Sequence, residues 1–480
     1  MELGPAGAKI IMRIKRTSVL PLALFFGLGS AEARAQQAAT FQGSVPAGPA
    51  GAPIELTLDG AIARGLRANL GLLESGTASD TVRAQRIQAL SALLPQVTAS
   101  MQAVEEQINL KTFGFNFNFP SIPALGFNGI PSIVGPFHYT MAQANVSVTA
   151  FDYNKLKTLK AARERESAAQ LSVDGAKDLV AQAVANGYLL IIADASRTDA
   201  LEAQVNTAQA LYGRALDQKK AGVSPSIDVL RSQVELKQDQ QRLLAQQNQY
   251  AKDKLGLGRL IGLAPGQDFH IANQTPFVQF ETMSPEQADA LAYKQRADYL
   301  SAKHQVAAAE LTVRAAKGEW YPTVGVNGFY GDAGVTPNNS HGVFEVAGTV
   351  NFNIFDGGRI RSDEEKARAS LKQSQDELAN LGAQIDYQVR AALLDVKTAS
   401  DQVTVARSNL ELANETLVQA RDRFVAGVTD NIEVVQAQES VASANDNLIA
   451  ALYEHNVAKA ALARALGSTA ETIKKFIEVK

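Results

Sequence analysis

Ala221-Gly222-Val223-Ser224-Pro225-Ser226-Ile227-Asp228-Val229 returns 205 residues later as Ala426-Gly427-Val428-Thr429-Asp430-Asn431-Ile432-Glu433-Val434. Other landmarks repeat around these two stretches in the same order. Phe151-Asp152 has a counterpart in Phe355-Asp356, and Leu94-Pro95 in Tyr321-Pro322. Self-similarity of so long a period means one structural unit written twice, so the two copies are read side by side.

Each Ala-Gly-Val closes a very long helical pattern, over residues 152–220 and 357–425. In the second, Val389, Val396, Val403, Leu410, Leu417 and Phe424 recur every seven residues, with Ala392, Ala399, Ala406, Ala413 and Ala420 between them. This is a heptad seam in which a large residue answers an alanine; small residues let helices approach, and the period of seven imposes a left-handed supercoil. The first copy keeps Leu201, Val205, Ala208, Tyr212 and Ala215 but breaks at Asp194 and Thr198. About 70 residues at 1.5 Å each make a rod of roughly 100 Å. Glycine suits the left-handed end of such a helix, Ser224 or Thr429 is placed to cap the next, and Pro225 suits a first helical position. The return helices run to Gly262 and Gly467, giving two helical hairpins.

Upstream, residues 56–93 and 284–320 read as amphipathic helices. Thr57 and Ser284, each followed two residues later by an acid (Asp59, Glu286), suit their starts, and Pro95 and Pro322 follow their ends. The period then becomes two. Val97, Ala99, Met101 and Ala103 alternate with Gln96, Thr98, Ser100 and Gln102; Ala142, Ala144, Val146, Val148 and Ala150 alternate with Gln143, Asn145, Ser147 and Thr149. The second copy alternates over 323–326 and 346–354, so two strands per copy are expected.

Shifting residues 142–150 by 204 lands on 346–354 with the apolar face preserved. An apolar face opposite a polar, uncharged one is what a lipid-facing, water-lined barrel wall requires. An ordinary half-buried antiparallel sheet alternates identically. Between the strands lie reversals at 105–137 and 331–342, the first longer by about 23 residues and rich in Phe, Gly, Asn and Pro. Phe113, Phe115, Phe117 and Phe119 either extend the strand as an interfacial aromatic girdle or form a loop that packs on its neighbours.

Arg13, Lys15 and Arg16, an apolar run over 19–29 and Ala33-Arg34-Ala35 read as a secretory signal peptide, with Met12 an alternative start. No other long uninterrupted apolar stretch is seen, so a membrane location requires β-strands. With no cysteine, disulfides, thiolate metal sites and an acylated lipoprotein cysteine are excluded. The net charge of -3 and the lack of a basic run give nucleic acid no footing. His138, His270, His304, His341 and His455 are scattered, Gly256-Leu257-Gly258 has its next glycine one position late for a dinucleotide loop, and no nucleophile elbow occurs. No enzyme, cofactor or metal is expected.

The resulting plan is a signal peptide at 1–35, a flexible segment at 36–55, a helical segment at 56–94, a strand pair with its outer loop at 95–151 and a helical hairpin at 152–263. A linker at 264–283 leads to the second helical segment at 284–321, strand pair at 322–355 and hairpin at 356–467, with a C-terminal segment at 468–480. Four strands do not close a barrel and leave exposed edges; three copies give twelve strands and a wall without edges.

This order resembles the TolC family of outer-membrane efflux proteins over about residues 56–467. The residues that carry the likeness are Arg423-Phe424-x-x-Gly427 with Ile432-Glu433-Val434-Val435-x-Ala437-Gln438, the corner Asn353-Ile354-Phe355-Asp356-Gly357-Gly358-Arg359, and the entry Leu58-x-x-Ala61-Ile62-x-x-Gly65-Leu66-x-x-Asn69. The resemblance implies a mainly α homotrimer whose membrane portion is a twelve-stranded β-barrel in outer-membrane lipid, continued by a periplasmic α-helical barrel. It implies an exit duct of a tripartite efflux or type I secretion system, with a periplasmic adaptor and an inner-membrane pump as partners. A rival reading is an exported periplasmic coiled-coil adaptor or scaffold without channel activity.

The family also implies an iris at the periplasmic end, narrowed by acids on the helices leaving the turns. Six residues beyond each turn glycine stand Asp228 and Glu433. A ring of them favours cations; equally, each acid stabilises the positive end of a returning helix. Gly222, Val223, Gly427 and Val428 resemble the turns that adaptors grip. The arginine and tyrosine that latch well-known members are replaced by Thr429 and Phe424, which leaves Arg423 as the substitute latch.

Overall fold

A computed structural model describes residues 43–46, 48–49, 51–114, 132–222, 225–272, 283–426, 428–429, 431–467 and 469–477. The expected signal peptide, Phe115, Phe117, Phe119, Val223, Ser224 and Gly427 lie outside the described residues. The first copy runs β1 (Ile54–Leu56), α1 (Leu58–Ala68), α2 (Leu70–Ser91), β2 (Gln96–Asn109), β3 (Ile133–Phe151), α3 (Tyr153–Lys220) and α4 (Ser226–Leu260). The second runs β4 (Phe269–Ile271), α5 (Pro285–Gln295), α6 (Ala297–Lys317), β5 (Thr323–Gly334), β6 (Ser340–Asn351), α7 (Arg359–Val425) and α8 (Asn431–Leu466), followed by α9 (Thr469–Ile477).

The paired Phe-Asp landmarks stand just before each rod: Phe151 ends β3, whereas β6 stops at Asn351, short of the alternation expected over 346–354. Asp152 caps α3, its carboxylate accepting from the Lys155 N–H at 2.9 Å. Asp356 accepts from Gly358 N–H at 3.0 Å and Ile360 N–H at 2.7 Å, and these donors hold its carboxyl below the usual carboxylate range. An acceptor is needed there because the first helical amides have no partner within the helix. Thr57 and Ser284 cap α1 and α5 as expected, accepting from Gly60 at 3.1 Å and Gln287 at 3.3 Å.

Three expectations need correction. The helical segments are each broken once, at Asn69 and at Arg296. Asn69 ends α1 and caps α2 through Leu72 N–H at 3.3 Å, a side chain competing with helix continuation. The lead-in is not free over its last part: Val45 N–H donates to Ala68 O at 2.8 Å, Leu70 N–H to Gly43 O at 3.0 Å, and β1 pairs in parallel with β4 of the expected linker. Pro225 occupies the cap position of α4 rather than its first turn, without a side-chain cap.

The seam of α7 faces inward along its length. Val389, Ala392, Val396, Ala399, Val403 and Ala420 are buried, and Ala406, Leu410, Ala413, Leu417 and Phe424 are half-buried. It packs on α6 near the strands, on α5 midway and on α8 toward the turn. Helix α3 is instead surrounded by α1, α2, α4, α6, α8 and α9. It alone is long and apolar enough to cross a membrane among the described helices, and half of that stretch is buried. Tyr188, fully buried on α3, donates its hydroxyl to Leu56 O at 3.1 Å, tying β1 to the core.

The same core encloses His455 and Lys459 of α8. Burial, aided by the Lys459 charge, pushes His455 down to about 4, and burial pushes Lys459 down to about 8. Between pH 4 and the ordinary 6.5 the unfolded chain binds a proton that the folded chain refuses, so His455 makes stability rise with pH across that window. His455→Gln is expected to flatten this rise in the thermal midpoint of the helical signal; an unchanged pH slope would refute the assignment.

Candidate functional site

The site has two ends, a strand wall and a helical tip. At the wall, β2, β3, β5 and β6 form one antiparallel sheet in that order, so the β3–β5 pairing joins the two copies. The register places Val97 opposite Val146, Gly328 and Val346 in one row across the sheet, and Ala99 opposite Ala144, Tyr330 and Phe344 in another. The opposite face carries the rows Gln96, Ser147, Asn327, Ala347 and Thr98, Asn145, Phe329, Glu345. Polar groups on it bond along the surface, with Ser147 Oγ donating to Asn327 Oδ1 at 2.8 Å.

An ordinary half-buried sheet would cover its apolar face. Here Met101 and Phe344 are 77 % exposed, Val346 73 % and Val97 68 %, so the protomer covers none of them. At the junction with the helices, Trp320, Tyr321, Phe352, Ile354 and Phe355 are also exposed, a band of the kind that sits at a lipid–water boundary. The strand does not extend to Phe113 as a girdle would require; β2 ends at Asn109 and Phe113 falls in a short 3₁₀ turn. Among the described residues, strands β2 and β6 each present an unpaired edge.

At the other end, Gly222 takes the left-handed conformation at φ 75° and its N–H donates to Lys219 O at 3.0 Å. In the second turn Val428 N–H reaches back to Arg423 O at 3.0 Å, closing the helix end, and its side chain is exposed. Glu433 sits between the residues read as latch parts. Arg423 Nη1 donates to Glu433 Oε1 at 2.9 Å, and the Thr429 hydroxyl donates to Glu433 Oε2. Thr429 therefore spends its hydroxyl proton on the carboxylate. Phe424 packs with Leu417, Ala420, Val434 and Ala437 beneath the turn. Asp228 lies apart from these, 3.6 Å from Arg231 one turn along its own helix.

The sequence reading missed how the hairpins are joined. Arg197 of α3 lies 3.6 Å from buried Asp194 and 2.9 Å from Asp446 of α8. Arg242 of α4 lies 3.3 Å from buried Asp239 and 3.7 Å from Glu439 of α8. Arg197, Asp446, Arg242 and Glu439 line a cavity of ≈ 980 Å³ between the hairpins. Burial raises both aspartates, with the Asp253 carboxyl adding to the effect at Asp194. The one sequence signal was Asp194 standing where the seam breaks.

A sheet with a bare apolar face and two open edges, continued by helical hairpins, defines a subunit of an outer-membrane channel with its helical part in the periplasm. The chain belongs to the outer membrane efflux protein family, whose model matches residues 61–263 and 290–468. It is 26% identical over 180 residues to the cation efflux system protein CusC of Escherichia coli O6:H1, covering 36% of this chain and 38% of that protein. It is 22% identical over 341 residues to the probable efflux pump outer membrane protein TtgC of Pseudomonas putida, covering 68% of each. The outer membrane protein VceC of Vibrio cholerae shares the fold with a TM-score of 0.72 at 17% identity, over 86% of this chain and 96% of that one. Neither the geometry nor these comparisons support the adaptor or scaffold reading.

Partly exposed ion pairs are worth about 0.2–1 kcal/mol. Arg423→Ala is accordingly expected to speed amide exchange at the start of α8 up to about fivefold, with no change at the start of α4; equal effects at both tips would contradict the local role given to Arg423.

Proposed function

We propose that this chain is the exit duct of a tripartite efflux or type I secretion system, working as a homotrimer. Three copies join edge to edge through β2 and β6, which removes every open edge and makes twelve strands. The single observation that carries this reading is the apolar sheet face left bare next to two open edges. Lipid covers the face, neighbouring copies cover the edges, and the polar face lines water. The chain acts as a conduit and not as an enzyme.

At the periplasmic end, Gly222, Val223, Gly427 and Val428 are the docking tips for a periplasmic adaptor, which connects the duct to an inner-membrane pump. Asp228 and Glu433 form the entrance ring, and Arg423, Thr429 and Phe424 form the latch of the second hairpin. The contacts of Arg423 and Thr429 on Glu433 support that latch, because they compensate the ring's charge while the turn is intact. The relatives' names specify cation efflux in one case and an efflux pump in the other. That breadth favours a permissive conduit, with cargo chosen by the pump.

Mature protein in a planar bilayer is expected to give discrete conductance steps that depend on the trimer; a protein soluble without detergent and silent in bilayers would end the channel reading. Unit charges 4–10 Å apart interact by about 0.4–1 kcal/mol in water. Neutralising the ring with Asp228→Asn and Glu433→Gln should therefore lower the cation-to-anion permeability ratio by about two- to fivefold. Unchanged selectivity would remove both acids from the gate.

A further inference from the structure

The four long strands carry no lysine or arginine; their charged residues are Glu105, Glu106, Asp332 and Glu345. The register sorts these acids by face. Asp332 pairs with Ala142 and Gly342, and Glu105 with His138, on the face of Val97 and Val346. Glu106 shares the polar parity but pairs with Phe137 beside the bulge at the outer end. Glu345 is different: it sits midway along β6, paired with Phe329, in the row of Thr98 and Asn145. Around it Gln96, Thr98, Asn145, Ser147 and Asn327 form a recess of ≈ 220 Å³ whose other side chains bear no charge.

We propose that Glu345 is a second charge-selecting residue of the channel, set in the strand wall and independent of the tip acids. The inference rests on the channel reading above. Three-fold assembly repeats the carboxylate around one level of a water-filled lumen. Walls of low dielectric constant focus its field, and rings of fixed carboxylates favour cations. With no lysine or arginine on any of the four strands to offset it, and one histidine, His341, on the same face, the wall is biased one way. Independence follows from distance. The tip acids lie at the far end of rods roughly 100 Å long, against a Debye length of about 10 Å at 0.1 M salt.

The test is the reversal potential of single channels in a KCl gradient. Glu345→Gln is expected to lower the potassium-to-chloride permeability ratio by about twofold near 0.1 M, the effect of a unit charge acting through water over a Debye length. The difference should fade toward 1 M salt, where the Debye length is about 3 Å. Glu345→Lys should move the ratio further toward anions, and Glu345→Asp should retain wild-type selectivity while reporting on assembly. Asp332→Asn, on the lipid face, should leave the ratio unchanged, and Glu345→Gln should give the same proportional shift when Asp228 and Glu433 are already neutralised. Wild-type conductance with an unaltered ratio in Glu345→Gln overturns the proposal and leaves the channel standing. A larger shift from Asp332→Asn overturns the facing. Absence of conductance in the wild-type protein overturns the channel itself.

Discussion

Backbone hydrogen bonding in lipid is the constraint from which the rest follows. No water reaches a bilayer core, so each strand amide and carbonyl there needs a partner, and a sheet with edges is not a stable membrane object. Strands β2 and β6 are such edges. The chain is therefore incomplete as a monomer in a sense that its helices are not. Duplication supplies four strands, the β3–β5 pairing fuses the copies, and in the proposed trimer neighbouring chains supply the outstanding partners.

The rods inherit their position from the sheet. Each starts from an aspartate that follows a strand, but the copies differ in how. Asp152 is itself the cap of α3, whereas Asp356 acts across Gly357 and Gly358, both at positive φ, so α7 starts later in its repeat. The seams differ for a related reason. Helix α7 has α8 as its main partner toward the turn, and a two-helix contact leaves a clean period of seven. Helix α3 has neighbours on several sides, so its buried residues spread around the axis, including Asp194. The broken seam of the first copy is a consequence of its surroundings.

Much of the fold was legible because periodicity records burial. The strands, the rods, the turn at Gly222 and the caps at Thr57 and Ser284 each follow from a local pattern with one physical cause. The short pairing of Ile54–Leu56 with Phe269–Ile271 was not legible, since three residues carry too little alternation and their partner is remote in sequence. Nor was the break at Arg296, whose guanidinium bonds Asp298 and Gln388, a tertiary contact. At the candidate site the residue types were legible and their grouping was not. Arg423, Thr429 and Glu433 were read as parts with separate duties, and only the closed turn brings them onto one carboxylate. Arg197 and Asp446 are far apart in sequence and no local pattern connects them.

The two tips now differ in mechanics as well as in sequence. In the second hairpin the contact of Arg423 with Glu433 spans the turn, from the end of α7 to the start of α8. Any motion that separates those helices lengthens it. In the first hairpin Asp228 is answered by Arg231 on the same helix, a pair that stays within α4. Farther along the shafts, Arg197 and Arg242 tie α3 and α4 to α8, each backed by a buried aspartate in its own hairpin. The α8 partners Asp446 and Glu439 are exposed, and each arginine keeps its own aspartate, so each tie is worth no more than an exposed pair, about 0.2–1 kcal/mol. The shaft ties thus resist a parting of the two hairpins, whereas the tip pair resists a parting of α7 from α8. The second turn, where Arg423 and Thr429 meet on one carboxylate, is the part of the proposed gate that senses how far α7 and α8 separate.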